Sequence, residues 1–237
     1  MMIIEVLYPE FCNLYAETSN TRYLQCCLPE AEFVFTEYND EPAFLTKKVN
    51  LIYLGAMTEH SQEMIIKKLM QYKDRIIELI EEDVPILATG NALELFGEYI
   101  QNEDGSKVEA LGIFNYWAKR DMMNRFNCLM MGKFEDMTIL GFKTQFTFAY
   151  SDDFKYPFID VEKGTGMNPD CNTEGVRYHN FYGTYLVGPF LVLNPHFTEY
   201  LLKKMGVDNP SLAFSDVIYE AYDRRLKEFI NPETKYY

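Results

Sequence analysis

Short apolar runs alternating with helix-period segments constrain this chain more than any other feature. Ile3–Leu7 and residues 49–54 and 85–88 have the length and composition of buried strands, and Glu32–Thr36 alternates as a strand does. Between them, residues 20–28 read as a short helix stopped near Pro29. Residues 59–82 read as one long amphipathic helix. There Met64, Ile65, Leu69, Ile76, Leu79 and Ile80 recur at three- and four-residue spacings, which places them on one face. Asp83-Val84-Pro85 ends that helix, and another is expected over 92–99, directly after Gly90. Strand and helix in alternation imply a parallel sheet flanked by helices.

The second half changes character. From 107 to 187 the chain carries many short β-type runs, such as 137–142, 145–150 and 182–187. Turn residues separate them, notably Lys163-Gly164-Thr165-Gly166 and Asn168-Pro169-Asp170. Two helices are expected to close the chain, over 195–205 and 211–229. No repeat, low-complexity tract or linker interrupts the sequence, so one domain over 1–237 is expected. Its predicted fold is a three-layer α/β arrangement with a central, mainly parallel sheet and a β-rich second half. At 237 residues and 48% hydrophobic, the chain can bury a sizeable core.

Charge narrows the function classes. With 22 Lys+Arg against 36 Asp+Glu, the net charge is −14, which opposes nucleic acid and anionic membranes alike. No apolar run reaches the roughly 18 residues of a membrane span. Glu5 interrupts the first apolar run and no basic segment precedes it, so no signal peptide is expected. Cys12, Cys26, Cys27, Cys128 and Cys171 are odd in number and lack metal-ligand spacing. With His60, His179 and His196 the only histidines, neither a metal site nor a cofactor is expected. Reduced thiols and a cytoplasmic location fit this set.

The most informative local stretch runs from Ile86 to Gly97. A buried strand enters a tight turn and then a helix. Such a corner presents one side chain above the sheet, beside the helix N-terminal amides. Here the corner carries Thr89 and Gly90. Taken alone, a tight turn that needs glycine accounts for it.

Several segments, in order, resemble one family. Leu7-Tyr8-Pro9-Glu10-Phe11-Cys12-Asn13-Leu14-Tyr15 is similar to an L-Y-P-D-x-x-N-L-Y opening. Residues 54–62 stand where the family has G-G-G-Q-D-x-x-Q, and 87–97 where it has L-A-x-C-G-G-Y-Q-L-L-G. Thr173-Glu174-Gly175-Val176 and Gly183-Thr184-Tyr185-Leu186-Val187-Gly188-Pro189 resemble its E-G-V and G-T-Y-L-H-G-P, and Asn194-Pro195 its N-P. These segments span residues 7–195 and resemble class I glutamine amidotransferase domains of the cobyric acid synthase type. The likeness is strongest to the glutaminase subunits that work beside a Mur-ligase-like synthetase subunit in cell-wall amidation. The resemblance implies a flavodoxin-like sheet, with the site at the C-terminal strand ends near Gly55, Gly90 and Val187.

The departures from the family pattern bear on chemistry. The family hydrolyses glutamine with a Cys nucleophile, a His base and an oxyanion hole, and passes ammonia to its partner. By residue-for-residue correspondence, the Cys position falls on Gly90, the next glycine on Asn91 and the Gln on Glu94. The His position falls on Val187, and the G-F-E-N-H histidine on Gln145. The glycine-rich loop keeps only Gly55. Neither Gly90 nor Val187 can perform acyl transfer. Thr89 is one position off register for a substitute nucleophile. Cys171 and His179, eight apart, read as a loop thiol and a strand histidine without mutual contact. Cys12 reads as a packed small residue, and His60 and His196 as helix starts.

Arg125, Glu94 and Glu174 are the candidate ligand-binding residues, Arg125 as a grip on a substrate carboxylate or else a surface arginine. Asp152-Asp153 and Asp40-Glu41 read as solvated loop charge, and the aromatics of 142–156 as strand packing or a partner surface. Two function classes follow. One is a catalytically inactive binding or regulatory partner of a synthetase. The other is an enzyme with altered chemistry on another small molecule in the same cleft, drawing on Glu59, Glu94, Lys143 and Glu174. Residual amidotransferase activity, in cell-wall or cobalamin-type amidation, would need a Cys at the corner, and none lies between Cys27 and Cys128.

Overall fold

The computed structural model describes residues 1–237. Its strands are β1 (Ile3–Leu7), β2 (Glu32–Thr36), β3 (Leu51–Leu54), β4 (Ile86–Thr89), β5 (Tyr99–Gln101), β6 (Lys107–Glu109), β7 (Trp117–Arg120), β8 (Phe126–Phe134), β9 (Met137–Gln145), β10 (Thr147–Tyr150), β11 (Pro157–Lys163), β12 (Thr173–Tyr178) and β13 (Phe181–Thr184). Its helices are α1 (Thr18–Cys27), α2 (Glu59–Met70), α3 (Lys73–Glu81), α4 (Phe190–Leu193), α5 (Pro195–Lys204) and α6 (Ser215–Ile230).

The main sheet has the order β2-β1-β3-β4-β13-β12-β11-β8-β9. It is parallel from β2 to β13 and antiparallel beyond. The α/β fold class expected from the alternation is therefore present, with the β-rich second half forming the antiparallel wing. A second sheet, β10-β7-β5-β6, is built from the short runs.

Burial on both faces explains the continuous apolar strands. All four residues of β3 are buried. Ile52 and Leu54 pack on one side with Ile65, Leu69, Ile76 and Leu79 of α2 and α3. Leu51 and Tyr53 pack on the other, with Leu24 of α1 and Phe197, Leu201 and Leu202 of α5. Each such side chain contributes about 1.5–3 kcal/mol on burial. Tyr222 and Phe229 of α6 cover Met131 and Leu140 on β8 and β9. No helix is long and apolar enough to cross a membrane.

Three expected elements differ. The helix over 59–82 breaks into α2 and α3 at Tyr72, whose backbone leaves the helical region and whose ring meets Phe44 edge-on at 6.0 Å. The helix over 92–99 is instead a 3-10 segment, Gly90–Phe96. It stops at Gly97, where a Cβ would lie 2.7 Å from Tyr116, and residues 99–101 then pair into the second sheet. The strand over 182–187 ends at Thr184, because Tyr185–Gly188 turn over the end of β4. Tertiary contacts at Phe44 and Tyr116, which no local period reveals, account for the first two.

Candidate functional site

The parallel neighbours β3, β4 and β13 end side by side, and their following turns converge. Gly90 opens the turn after β4 with φ +61°, a conformation that glycine adopts without steric cost. A Cβ placed on Gly90 would lie 2.6 Å from the Ala56 Cβ and 3.3 Å from Val187 Cγ1. The three positions the sequence singled out, in the loops at 55–57, 90–91 and 187–188, are thus adjacent. Apolar groups occupy the point where they meet.

Asn91 holds this corner together. Its Nδ2 donates to Met57 O at 2.8 Å, and its Oδ1 accepts from Met57 N at 3.0 Å. The amide of the glycine-poor loop is therefore already committed. Gly55 is needed because a Cβ there would meet the Cys12 carbonyl oxygen at 2.5 Å. The Cys12 thiol lies under the same loop, 3.9 Å from Met57 Sδ, and burial pushes its pKa up.

Glu94 is buried in the 3-10 segment. Gln62 Nε2 donates to its Oε2 at 2.8 Å. Burial raises its pKa to about 7, against the lowering pull of Gln62 and Arg120. Arg120, itself buried, extends this network. It donates to Gln62 Oε1 at 2.7 Å, Glu63 Oε1 at 2.9 Å and Asn102 Oδ1 at 2.9 Å. Gln145 is buried nearby and donates from Nε2 to Thr147 O at 2.5 Å. Glu94, Gln145, Met57, Glu59, Phe146 and Val187 line a residual cavity of only about 20 Å³.

Other candidates stand elsewhere. Arg125 is exposed and lies over the Phe146 ring at 4.6 Å, so Arg120 rather than Arg125 is the arginine of the buried network. Glu174 accepts from Thr184 Oγ1 at 2.8 Å and Tyr185 N at 2.7 Å, and pairs with Lys143, whose Nζ also donates to Gly166 O at 2.6 Å. Both side chains are fully buried, which makes this pair a tie between strands rather than a free acid and base. Cys171 binds within its own turn to Thr173, whereas His179 faces Asp83 at 3.0 Å at the opposite end of β13. His196 is flanked by Tyr219 and Tyr222.

Glu17 escaped sequence reasoning. It lies fully buried behind the corner and accepts from Thr89 Oγ1 at 2.8 Å, Asn20 Nδ2 at 3.0 Å, Gly188 N at 3.1 Å and the Tyr53 hydroxyl. Burial raises its pKa to about 7 although each of these bonds favours the charged form. The Thr89 hydroxyl is spent on Glu17, so Thr89 is not poised as a nucleophile. The only signal for Glu17 was its place two residues after the first motif.

A family description now fits both the fold and this corner. The model of the CobB/CobQ-like glutamine amidotransferase domain matches residues 3–195. The chain belongs to this family. Two curated relatives of the family are the lipid II isoglutaminyl synthase (glutamine-hydrolyzing) subunits GatD of Streptococcus pneumoniae and Staphylococcus aureus. The first is 26% identical over 221 residues, covering 90% of this chain and 85% of that protein. The second is 27% identical over 194 residues, covering 81% and 79%. Among solved structures, a glutamine amidotransferase of Thermotoga maritima aligns with a TM-score of 0.54 at 11% identity, over 95% of this chain and 92% of that one. A second glutamine amidotransferase gives 0.53 at 12% identity, over 86% and 99%. These two likenesses bear on the fold alone.

Proposed function

We propose that this chain is a glutamine amidotransferase-like protein without glutaminase activity, a single domain acting in the cytoplasm as a binding or regulatory partner of a Mur-ligase-like synthetase. The observation that carries this reading is the contact at Gly90. The position corresponding to the nucleophile has no side chain, and Ala56 stands where a Cβ would go. Val187 corresponds to the base and can neither take nor give a proton. Loss of a nucleophile or its base costs several orders of magnitude in rate, and loss of both leaves no acyl-transfer machinery. The cavity of about 20 Å³ is also far below the roughly 300–1,000 Å³ of ordinary ligand pockets. The partner is inferred from the two GatD relatives, each described as a subunit.

The test is glutamate release from glutamine by the purified chain, alone and mixed with a Mur-ligase-like subunit. The expected result is no release above a heat-inactivated control, together with co-elution of the two proteins. Release above that control would overturn the reading and restore an amidotransferase role in cell-wall or cobalamin-type amidation. The competing reading, altered chemistry on another small molecule, is favoured by one observation: Glu59 and Glu94 line the same cavity. Its other two candidates, Lys143 and Glu174, neutralise each other away from solvent.

A further inference from the structure

Beside α1 lies a second cavity, about 220 Å³ in volume, apart from the corner at Gly90. Its floor is one row of side chains across three parallel strands. Val6 of β1 stands in register with Phe35 of β2 on one side and Tyr53 of β3 on the other. Tyr53 spends its hydroxyl on Glu17 and offers only its ring. Phe35 stands at the rim, 46% exposed.

The wall is one stripe of α1. Thr18, Thr21, Arg22 and Gln25 line the cavity at i, i+3, i+4 and i+7. None of these four side chains makes a hydrogen bond or ion pair within the chain. Asn20, on the inner side of the same helix, makes three, with Glu17, Tyr53 and Leu191. Water reaches Arg22 and Gln25, which are exposed. Thr21 differs, because it is only 5% exposed and still lacks a partner. A buried hydroxyl without a bond is destabilising, and a polar group in the cavity would supply one. The first turn of α1 holds no acidic residue, and no side chain caps its amides.

Charge selects the ligand. Arg22 is the only charged residue lining the cavity. It pairs with no carboxylate, in a chain with 36 Asp+Glu. Its planar fork matches a carboxylate or a phosphate. One guanidinium balances one negative charge. A phosphate monoester brings nearly two, into a chain of net charge −14 with Glu17 buried next to Thr18. No lining carboxylate is available for an ammonium group, which disfavours amino acids, glutamine included. The apolar floor suits a ring or a branched alkyl body.

We propose that this cavity binds a small monocarboxylate with an aryl or branched-alkyl body. The carboxylate meets Arg22 and accepts from the Thr21 hydroxyl, and the body lies along Val6, Phe35 and Tyr53. The site goes beyond the reading of the Gly90 corner and stands whether or not the chain hydrolyses glutamine.

Titration of the full chain with phenylacetate at pH 7, followed by proton–nitrogen NMR, tests it. Saturable shifts are expected, largest at Thr21, Arg22 and Phe35, with a Kd of about 1 mM for so small a ligand. Arg22→Gln is expected to weaken binding about tenfold. The Arg22 side chain is exposed and unbonded, so this variant folds. Thr21→Val is expected to weaken binding with no loss in Tm, since it removes an unpaired hydroxyl. Phenylphosphate, phenethylamine, benzyl alcohol and glutamine are expected to bind more weakly than phenylacetate. Unchanged binding in Arg22→Gln or Thr21→Val, or equal or tighter binding of any of these four compounds, would overturn the proposal. So would no saturation by about 20 mM phenylacetate, or largest shifts at Gly90 and Asn91.

Discussion

At the residue scale, Gly90 and Ala56 exclude each other's side chains. Gly90→Cys places a Cβ on Ala56 and forces a non-glycine residue to φ +61°, which together cost about 1–3 kcal/mol. Under the proposed reading, in which Gly90 and Val187 stand at the nucleophile and base positions, restoring chemistry takes three changes. The pair Gly90→Cys and Val187→His is expected to stay silent in glutamate release, and adding Ala56→Gly to give detectable turnover. Equal activity of the double and triple variants would refute this steric account. Asn91 offers a second check. Asn91→Ala leaves Met57 N and O without their partners, and is expected to lower the unfolding free energy by about 1–3 kcal/mol in denaturant titration.

At the element scale, the end of the parallel region is anchored by a buried charge pair. Lys143 lies on β9 and Glu174 on β12, and Glu174 also ties Thr184 and Tyr185 at the end of β13. Removing one partner strands a charge in the core. Lys143→Met is expected to cost about 3–5 kcal/mol, and Lys143→Met with Glu174→Leu to recover part of that, as read by denaturant midpoints. A double variant no more stable than the single one would show that the pair does not act as a unit. The same scale shows what was legible. β1 and β2 coincide with the sequence expectation because their patterns are local. The break at Tyr72 and the 3-10 turn at 90–96 were not legible, because Phe44 and Tyr116 act from other parts of the chain.

At the scale of the whole molecule, two buried carboxyls set a pH dependence. Glu17 and Glu94 are both raised from the ordinary value near 4.5 to about 7. A raised carboxyl binds its proton more tightly in the folded chain than in the unfolded one. Its contribution is therefore complete below about 4.5 and is lost as pH rises through about 7. Folding stability is expected to fall between pH 5 and 8 by an amount on the order of a few kcal/mol. Growing self-repulsion of a chain with net charge −14 acts in the same direction. Denaturant unfolding at intervals across this range measures the slope, and Glu17→Gln is expected to flatten it. A slope that rises with pH would contradict the burial account.

Sequence alone determined the alternation of strands and helices and the family, and it put Gly90 and Val187 forward as the positions to test. These properties reside in local periods and ordered motifs, which survive without coordinates. Only the tertiary structure decided what meets at that corner. It placed Ala56 against Gly90, committed Asn91 to Met57, and chose Arg120 over Arg125 for the buried network. It also brought Glu17 to Thr89 across 72 positions of chain. Contacts of this kind depend on distance in space between residues remote in sequence. Their energies come from desolvation and close packing, which a one-dimensional pattern does not contain.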